Sequence, residues 1–213
     1  MDYTIVLPSK QKVVKEDTTS GLYEIEGLYP GYGHTLGNSL RRIILASLPG
    51  AAIVSVKIDG TSHEFSTISG IKEDVISILL NLKKIRIKKT GSEPQIMRLK
   101  AKGPKEIKAR DIEAPGQLEI INADQHILTL VDKNASIDME LAVESGIGFV
   151  SKENLQKDRL EVGTIALDAS FSPIRRASYE VELMRVGDRT DFNKLLLFIE
   201  TDGTITPNKV LET

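Results

Sequence analysis

The spacing Gly31-x-Gly33-x-x-x-Gly37 lies between a strand-like run and a helical one. Backbone amides at such a helix start can cradle a pyrophosphate, and Asp59 stands about twenty residues on, where a ribose hydroxyl is read in dinucleotide sites. The spacing is one residue off that fingerprint, with Leu36 where the third glycine belongs. A hairpin-like turn at Asp59-Gly60 also replaces the crossover helix that a parallel sheet requires. A nucleotide-binding α/β protein is thus the disfavoured alternative. The glycines are read instead as a tight lead into the helix that lets its backbone approach a neighbour. Nucleotidyl transfer needs carboxylates clustered on two metal ions. Asp188, Asp191 and Asp202 are the nearest set, but an arginine and a whole strand separate them, and Asp191 is expected to cap or pair locally with Arg189. His34, His63 and His126 are scattered, and no H-E-x-x-H, G-x-S-x-G or P-loop occurs. No cofactor, metal site or catalytic residue is expected on this chain.

Lys83, Lys84, Arg86, Lys88 and Lys89 form the densest basic run. Lys84, Arg86 and Lys88 alternate with Ile85 and Ile87, which lines the charges along one strand face without interleaved aromatics. That pattern reads as a solvated or edge-guarding strand, not a nucleic-acid platform. The formal net charge of −2 likewise lacks the basic excess that phosphate backbones demand. Cysteine is absent, which removes disulfides and thiolate chemistry. Residues Met1 to Pro8 carry neither a basic n-region nor a sustained apolar core, and no window approaches the ~20 apolar residues of a membrane span. A cytoplasmic location with no membrane partner is the expectation.

The elements that hold these residues read as α+β with mostly antiparallel sheets and two main helices. Gly21 to Gly27 alternates apolar and acidic residues, a half-buried strand, and Pro30-Gly31 breaks it. His34 to Leu48 is helical and stops at Pro49-Gly50; Ile53 to Ile58 alternates again. A second helix places Ile71, Val75, Ile78, Leu79 and Leu82 on one stripe, with Ser69 as its N-cap and Glu73 and Asp74 near its start. Short alternating runs fill Ile85 to Phe149, late strands occupy Glu180 to Arg185 and Lys194 to Thr201, and Thr206-Pro207 opens a last helix.

The His34–Leu48 helix has two faces. Leu36, Leu40, Ile43, Ile44 and Ser47 share an arc of roughly 100°. The other arc holds Gly37, Asn38, Arg41, Arg42 and Leu45, an unusual mix for a solvated surface. Arginine is enriched at protein interfaces and binds carboxylates bidentately. Two readings stand: a surface helix with two solvated arginines and a stray leucine, or a helix between its own fold and a partner.

The run His34-Thr35-Leu36-Gly37-Asn38-Ser39-Leu40-Arg41-Arg42-Ile43-Ile44-Leu45 resembles the signature helix of the bacterial RNA polymerase alpha subunit family. The resemblance continues through Ile58-Asp59-Gly60, His63 to Thr67, Glu73-Asp74-Val75 with Ile78 to Lys83, Asp132 to Ser136, Asp168-Ala169, Phe171-Ser172-Pro173, Arg189-Thr190-Asp191 and Glu200 to Ile205. It implies a non-catalytic scaffold that forms a homodimer and nucleates assembly of the beta and beta-prime subunits of a nucleotidyltransferase complex. It further implies a discontinuous dimerisation domain, 1–50 with 169–213, and an inserted domain, 51–168, that contacts the large subunits. The dimer would use Leu36, Leu40, Ile43 and Ile44; Arg42 and Leu45 would meet beta; Lys83 and Leu167 would meet beta-prime. Taken alone, Lys83 at a helix end also reads as a dipole partner and Leu167 as core. Relatives continue the last helix past the position of Thr213 into a linker and a DNA- and activator-binding domain, so no direct DNA binding is expected from this region. The segment Lys152 to Val162 is shorter than the corresponding loop of relatives.

Overall fold

A computed structural model describes residues 7–61, 63–156 and 163–213. Residues 1–6 of the N-terminal stretch and 157–162 of the short segment lie outside that description. The chain runs β1 (Lys12–Glu16), β2 (Ser20–Leu28), α1 (Tyr32–Ala46), β3 (Pro49–Ile58), α2 (Val75–Leu82), β4 (Ile87–Lys89), β5 (Gln95–Lys102), β6 (Lys105–Lys108) and β7 (Leu118–Ile120). It continues through β8 (His126–Leu130), β9 (Ser136–Ile147), β10 (Phe149–Val150), α3 (Lys152–Gln156), β11 (Thr164–Ala166), β12 (Ala169–Ser170), β13 (Ile174–Val186), β14 (Arg189–Thr201) and α4 (Pro207–Glu212). The strands pair antiparallel, and the chain divides into two compact units, Met1–Leu48 with Pro173–Thr213 and Pro49–Ser172.

In the discontinuous unit a four-stranded sheet has the order β1-β2-β14-β13. Side chains alternate across it: Leu195, Leu197 and Ile199 are buried under the helices, while Leu196 and Phe198 face the other way. Tyr23, Ile44, Leu48, Ile174, Leu197, Ile199 and Val210 make the core, with α4 contributing Val210. Proline at the first helical position starts α4 after Thr206, although the Thr206 hydroxyl makes no cap hydrogen bond.

The continuous unit holds the sheet β5-β9-β3-β4-β7, with β11 added on β3. Its core joins the sheet to α2 through Val56, Ile78, Leu82, Met97, Leu99, Ile127, Leu128 and Leu141. Of the basic run only Lys88 and Lys89 lie in a strand, β4, which sits between β3 and β7 and guards no edge; Lys83 and Lys84 form the turn after α2, so the charges do not line one strand face. The charges of β4 are solvated and locally paired, Lys88 with Glu119 at 3.4 Å and Lys89 with the Ser145 hydroxyl at 3.0 Å.

Two further sequence readings need correction. The second helix begins at Val75, not after Ser69, and its N-cap is Asp74, whose carboxylate accepts the Ser77 amide at 3.0 Å. Ile71 is instead drawn into a bridge with Leu130, and Gly70 at φ 76° turns the chain ahead of it. In α1, Gly37 faces the sheet instead of lying outward. The inward direction, through Gly33, Gly37, Leu40 and Ile44, is rotated by roughly 40° from the centre of the apolar arc. The cause is steric. A Cβ at Gly37 would lie 2.5 Å from Tyr179 Cδ2 and 2.8 Å from Leu195 Cδ1, and one at Gly33 would lie 2.7 Å from Val181 Cγ1. The bare backbone of α1 therefore rests on β13 and β14, and Ile43 is turned outward to 57% exposure.

This contact predicts the effect of Gly37→Ala. Alanine gains up to about 1 kcal/mol of helix propensity, but the overpacking against the Tyr179 ring and Leu195 costs about 1–3 kcal/mol. Urea denaturation should give a lower midpoint for the variant; an equal or higher midpoint would mean that the helix can lift off without loss.

Candidate partner-docking surfaces

The glycine-rich start of α1 is already occupied. Gly31 takes the left-handed conformation at φ 85° as the N-cap and offers no side chain to the helix amides. The buried Asn193 side chain on β14 does so in its place: its Oδ1 accepts from the Gly31 amide at 2.9 Å and the Gly33 amide at 3.3 Å. Amides that would cradle a phosphate are thus spent on an internal carbonyl, and nothing in the fold supports the nucleotide-binding alternative.

The outward part of α1 divides into two flanks. On one, Tyr32 is 64% exposed beside Leu36 and Ile43; on the other, Arg42 and Leu45 stand exposed, Leu45 at 40%. Arg41 is held by Asn38 at 3.3 Å, whereas Arg42 has no hydrogen-bond or ion-pair partner among the described residues. Of the residues read as a dimer stripe, Leu36 is half-buried and Ile43 is exposed. Leu40 packs partly into the protein's own core, and Ile44 is 4% exposed within it.

A second surface belongs to the continuous unit. Lys83, the C-cap of α2, and Leu167, between β11 and β12, line one groove of about 190 Å³ together with Glu64, Ile76, Leu79, Leu80, Lys152, Ala166 and Asp168. Leu167 is almost wholly buried and its amide donates to Val54 O at 2.8 Å, so its core role is real. Ile76 and Leu80 keep exposed apolar surface at the groove. Along the polar side, Lys83 Nζ reaches Asp168 Oδ2 at 3.3 Å, Asp168 Oδ1 accepts the Lys152 amide at 3.0 Å, and Lys152 Nζ reaches Glu64 Oε1 at 3.1 Å. The Lys152 amide is the leading cause that holds the Asp168 carboxyl below the usual 3.8; burial opposes it and Lys83 assists. Hydrogen bonding to Glu64 raises the Lys152 ammonium above its usual 10.5. Glu64, Lys152 and Asp168 carry no local periodicity that would join them to Lys83, and only the folded chain shows the set.

The helix that carries Lys83 is anchored at both ends to the segment before and within β8. At its start Glu73 accepts from the Thr129 amide at 2.7 Å and the Thr129 hydroxyl at 3.1 Å, and His126 Nε2 lies 3.0 Å from its Oε1. Near its end Asn81 donates to Ile127 O at 3.0 Å. Asn122 accepts the Arg86 amide at 2.7 Å and donates to Lys84 O at 2.9 Å. Among the described residues no group of three or more His, Cys, Asp or Glu could hold a metal ion, and no helix is long and apolar enough to cross a membrane. Asp191 is taken up by Arg189 in a two-pronged pair at 3.0 and 2.7 Å.

These features define an α+β protein whose described surfaces are a divided helix face and an apolar groove with a mixed-charge rim. Residues 56–172, within the continuous unit, match the family model described as RNA polymerase Rpb3/RpoA insert domain, and the chain belongs to that family. It is 47% identical over 207 residues to the DNA-directed RNA polymerase subunit alpha of Roseiflexus castenholzii, covering 97% of this chain and 63% of that protein. The subunits alpha of Alkaliphilus oremlandii and Syntrophomonas wolfei are 48% and 49% identical over 198 and 192 residues. Those matches cover 93% and 90% of this chain but 62% and 60% of theirs, so the chain spans less than two thirds of their length.

The Glu73 anchor sets a pH dependence. Burial opposes ionisation of Glu73, yet the bonds from the Thr129 amide, His126 and the Thr129 hydroxyl outweigh it and hold the carboxyl below its usual 4.5. A depressed folded-state value means the stabilisation is complete above that usual value and is lost as pH falls through the depressed one. Glu73→Gln should cost about 1–3 kcal/mol near neutral pH, with the gap to wild type closing under acid. Thermal melts from neutral to acid pH measure this, and a gap that stays constant would assign Glu73 a purely steric role.

Proposed function

We propose that this chain is a scaffold subunit of a bacterial DNA-directed RNA polymerase. Two copies self-associate and the beta and beta-prime subunits mount on them; DNA-templated nucleotidyl transfer belongs to the assembled complex, in the cytoplasm. The identity to named alpha subunits over nearly the whole chain is the observation that carries this reading. The geometry of α1 supports it. The helix is seated on its own sheet by glycines and presents two chemically different flanks, one apolar and one bearing an arginine without a partner among the described residues. Leu36 and Ile43 form the self-association flank, with Leu40 at its inner margin and Ile44 supporting it from the core. Arg42 and Leu45 receive beta. Lys83 and the Leu167 segment, brought to one groove, receive beta-prime. Direct DNA contact and a bound cofactor have no place in this reading.

The apolar flank is tested by Ile43→Asp. Because Ile43 is already 57% exposed, the variant should keep its circular-dichroism spectrum and a cooperative melt while sedimentation equilibrium shows a shift toward monomer. An unchanged dimer would move the interface elsewhere. Arg42→Ala tests the other flank: truncating a desolvated charged contact costs about 2–5 kcal/mol, at least about 30-fold in affinity. Beta should no longer co-purify with the variant, with folding and self-association intact. Full recovery of beta would remove Arg42 from the interface.

A further inference from the structure

The groove of the continuous unit is edged by two cations and two anions that form one connected series, Lys83, Asp168, Lys152 and Glu64. A rim of balanced charge gives no net attraction for a phosphate or a nucleic-acid backbone. It suits a polypeptide surface with charges of both signs, set against the exposed parts of Ile76 and Leu80. Within the series Asp168 has a singular position. Its two oxygens serve different elements: Oδ1 takes the amide at the start of α3, and Oδ2 takes the ammonium at the end of α2. The side chain of Asp168 is itself 38% exposed, so the pair with Lys83 is a weak source of stability. Its effect is to fix direction. A free lysine at a helix end samples many rotamers, and one tethered at 3.3 Å stays over the groove.

We propose that Asp168 is a positioning residue for docking at this groove, presetting Lys83 and the Lys152 turn for the incoming subunit. The inference rests on reading the groove as the beta-prime surface. Asp168 acts through Lys83, so the two residues form one functional unit whose effects do not add.

A double-mutant cycle tests this in the assembled complex. The tagged full chain, as wild type, Lys83→Ala, Asp168→Asn and both together, is co-expressed with beta and beta-prime, and the beta-prime to beta ratio is measured after capture. Asparagine keeps an oxygen for the Lys152 amide and removes the charge that holds Lys83. Lys83→Ala should lower the ratio about tenfold or more, Asp168→Asn severalfold, and the double variant no further than Lys83→Ala alone. Beta recovery, which depends on the α1 flank, should stay constant and serves as the internal standard. An additive double variant overturns the positioning role, as does a wild-type ratio for Asp168→Asn beside a lowered one for Lys83→Ala. Equal loss of beta and beta-prime overturns a local role for Asp168. A wild-type ratio for Lys83→Ala overturns the groove reading and the proposal with it.

Discussion

At Gly33 and Gly37 the backbone of α1 comes down onto the sheet with no side chain of its own between them. Gly33 and Gly37 bring the helix backbone onto Val181, Tyr179 and Leu195, and Asn193 ties the helix start to β14. The contact fixes the helix in rotation as well as in distance, because only the glycine side can come so close. Which residues face outward follows from that rotation. A helix with ordinary side chains at both positions would stand farther off and could turn to bury Ile43. The apolar flank would then be lost as a surface.

Much of this was legible in the sequence. The break at Pro30-Gly31, the alternation of β2 and the proline start of α4 are local signals, and each fell where turn chemistry put it, whereas α1 ends at Ala46 and Pro49-Gly50 open β3 instead of forming the stop. The pairing of Arg189 with Asp191 was local as well. The rotation of α1 was less legible, since hydrophobic periodicity scores glycine as empty when its value here is the space it leaves. The start of α2 was misplaced for a related reason. Ser69 and Asp74 are both good caps, and the choice between them is made by β8, which claims Ile71 and Glu73 before the helix begins. The groove gathers Glu64, Lys83, Lys152 and Asp168 from four segments, and no periodicity records such a meeting.

The two surfaces differ in how they hold their charges. On α1 the arginine stands without a partner among the described residues, available for a carboxylate brought by another protein. Around the groove every charge is already engaged, so a docking partner must fit an existing pattern instead of completing a vacant one. The first arrangement favours long-range attraction and is sensitive to salt; the second favours shape and register.

The pairing of Glu24 with Leu196 joins strands from nearly opposite ends of the chain, with the whole continuous unit between them. On a ribosome this has a temporal meaning. The early strands and α1 emerge first, yet their hydrogen-bonding edge and the floor under Gly33 and Gly37 are not made until β13 and β14 are synthesised. The intervening segment can collapse on its own contacts in the meantime, since its sheet and α2 are contiguous in sequence. The apolar stripe of α1 therefore gains its seat only after the sheet closes over a long loop, which carries a loop-closure cost. During that interval the apolar side of α1 has no floor of its own, and it is the segment most in need of protection from wrong association.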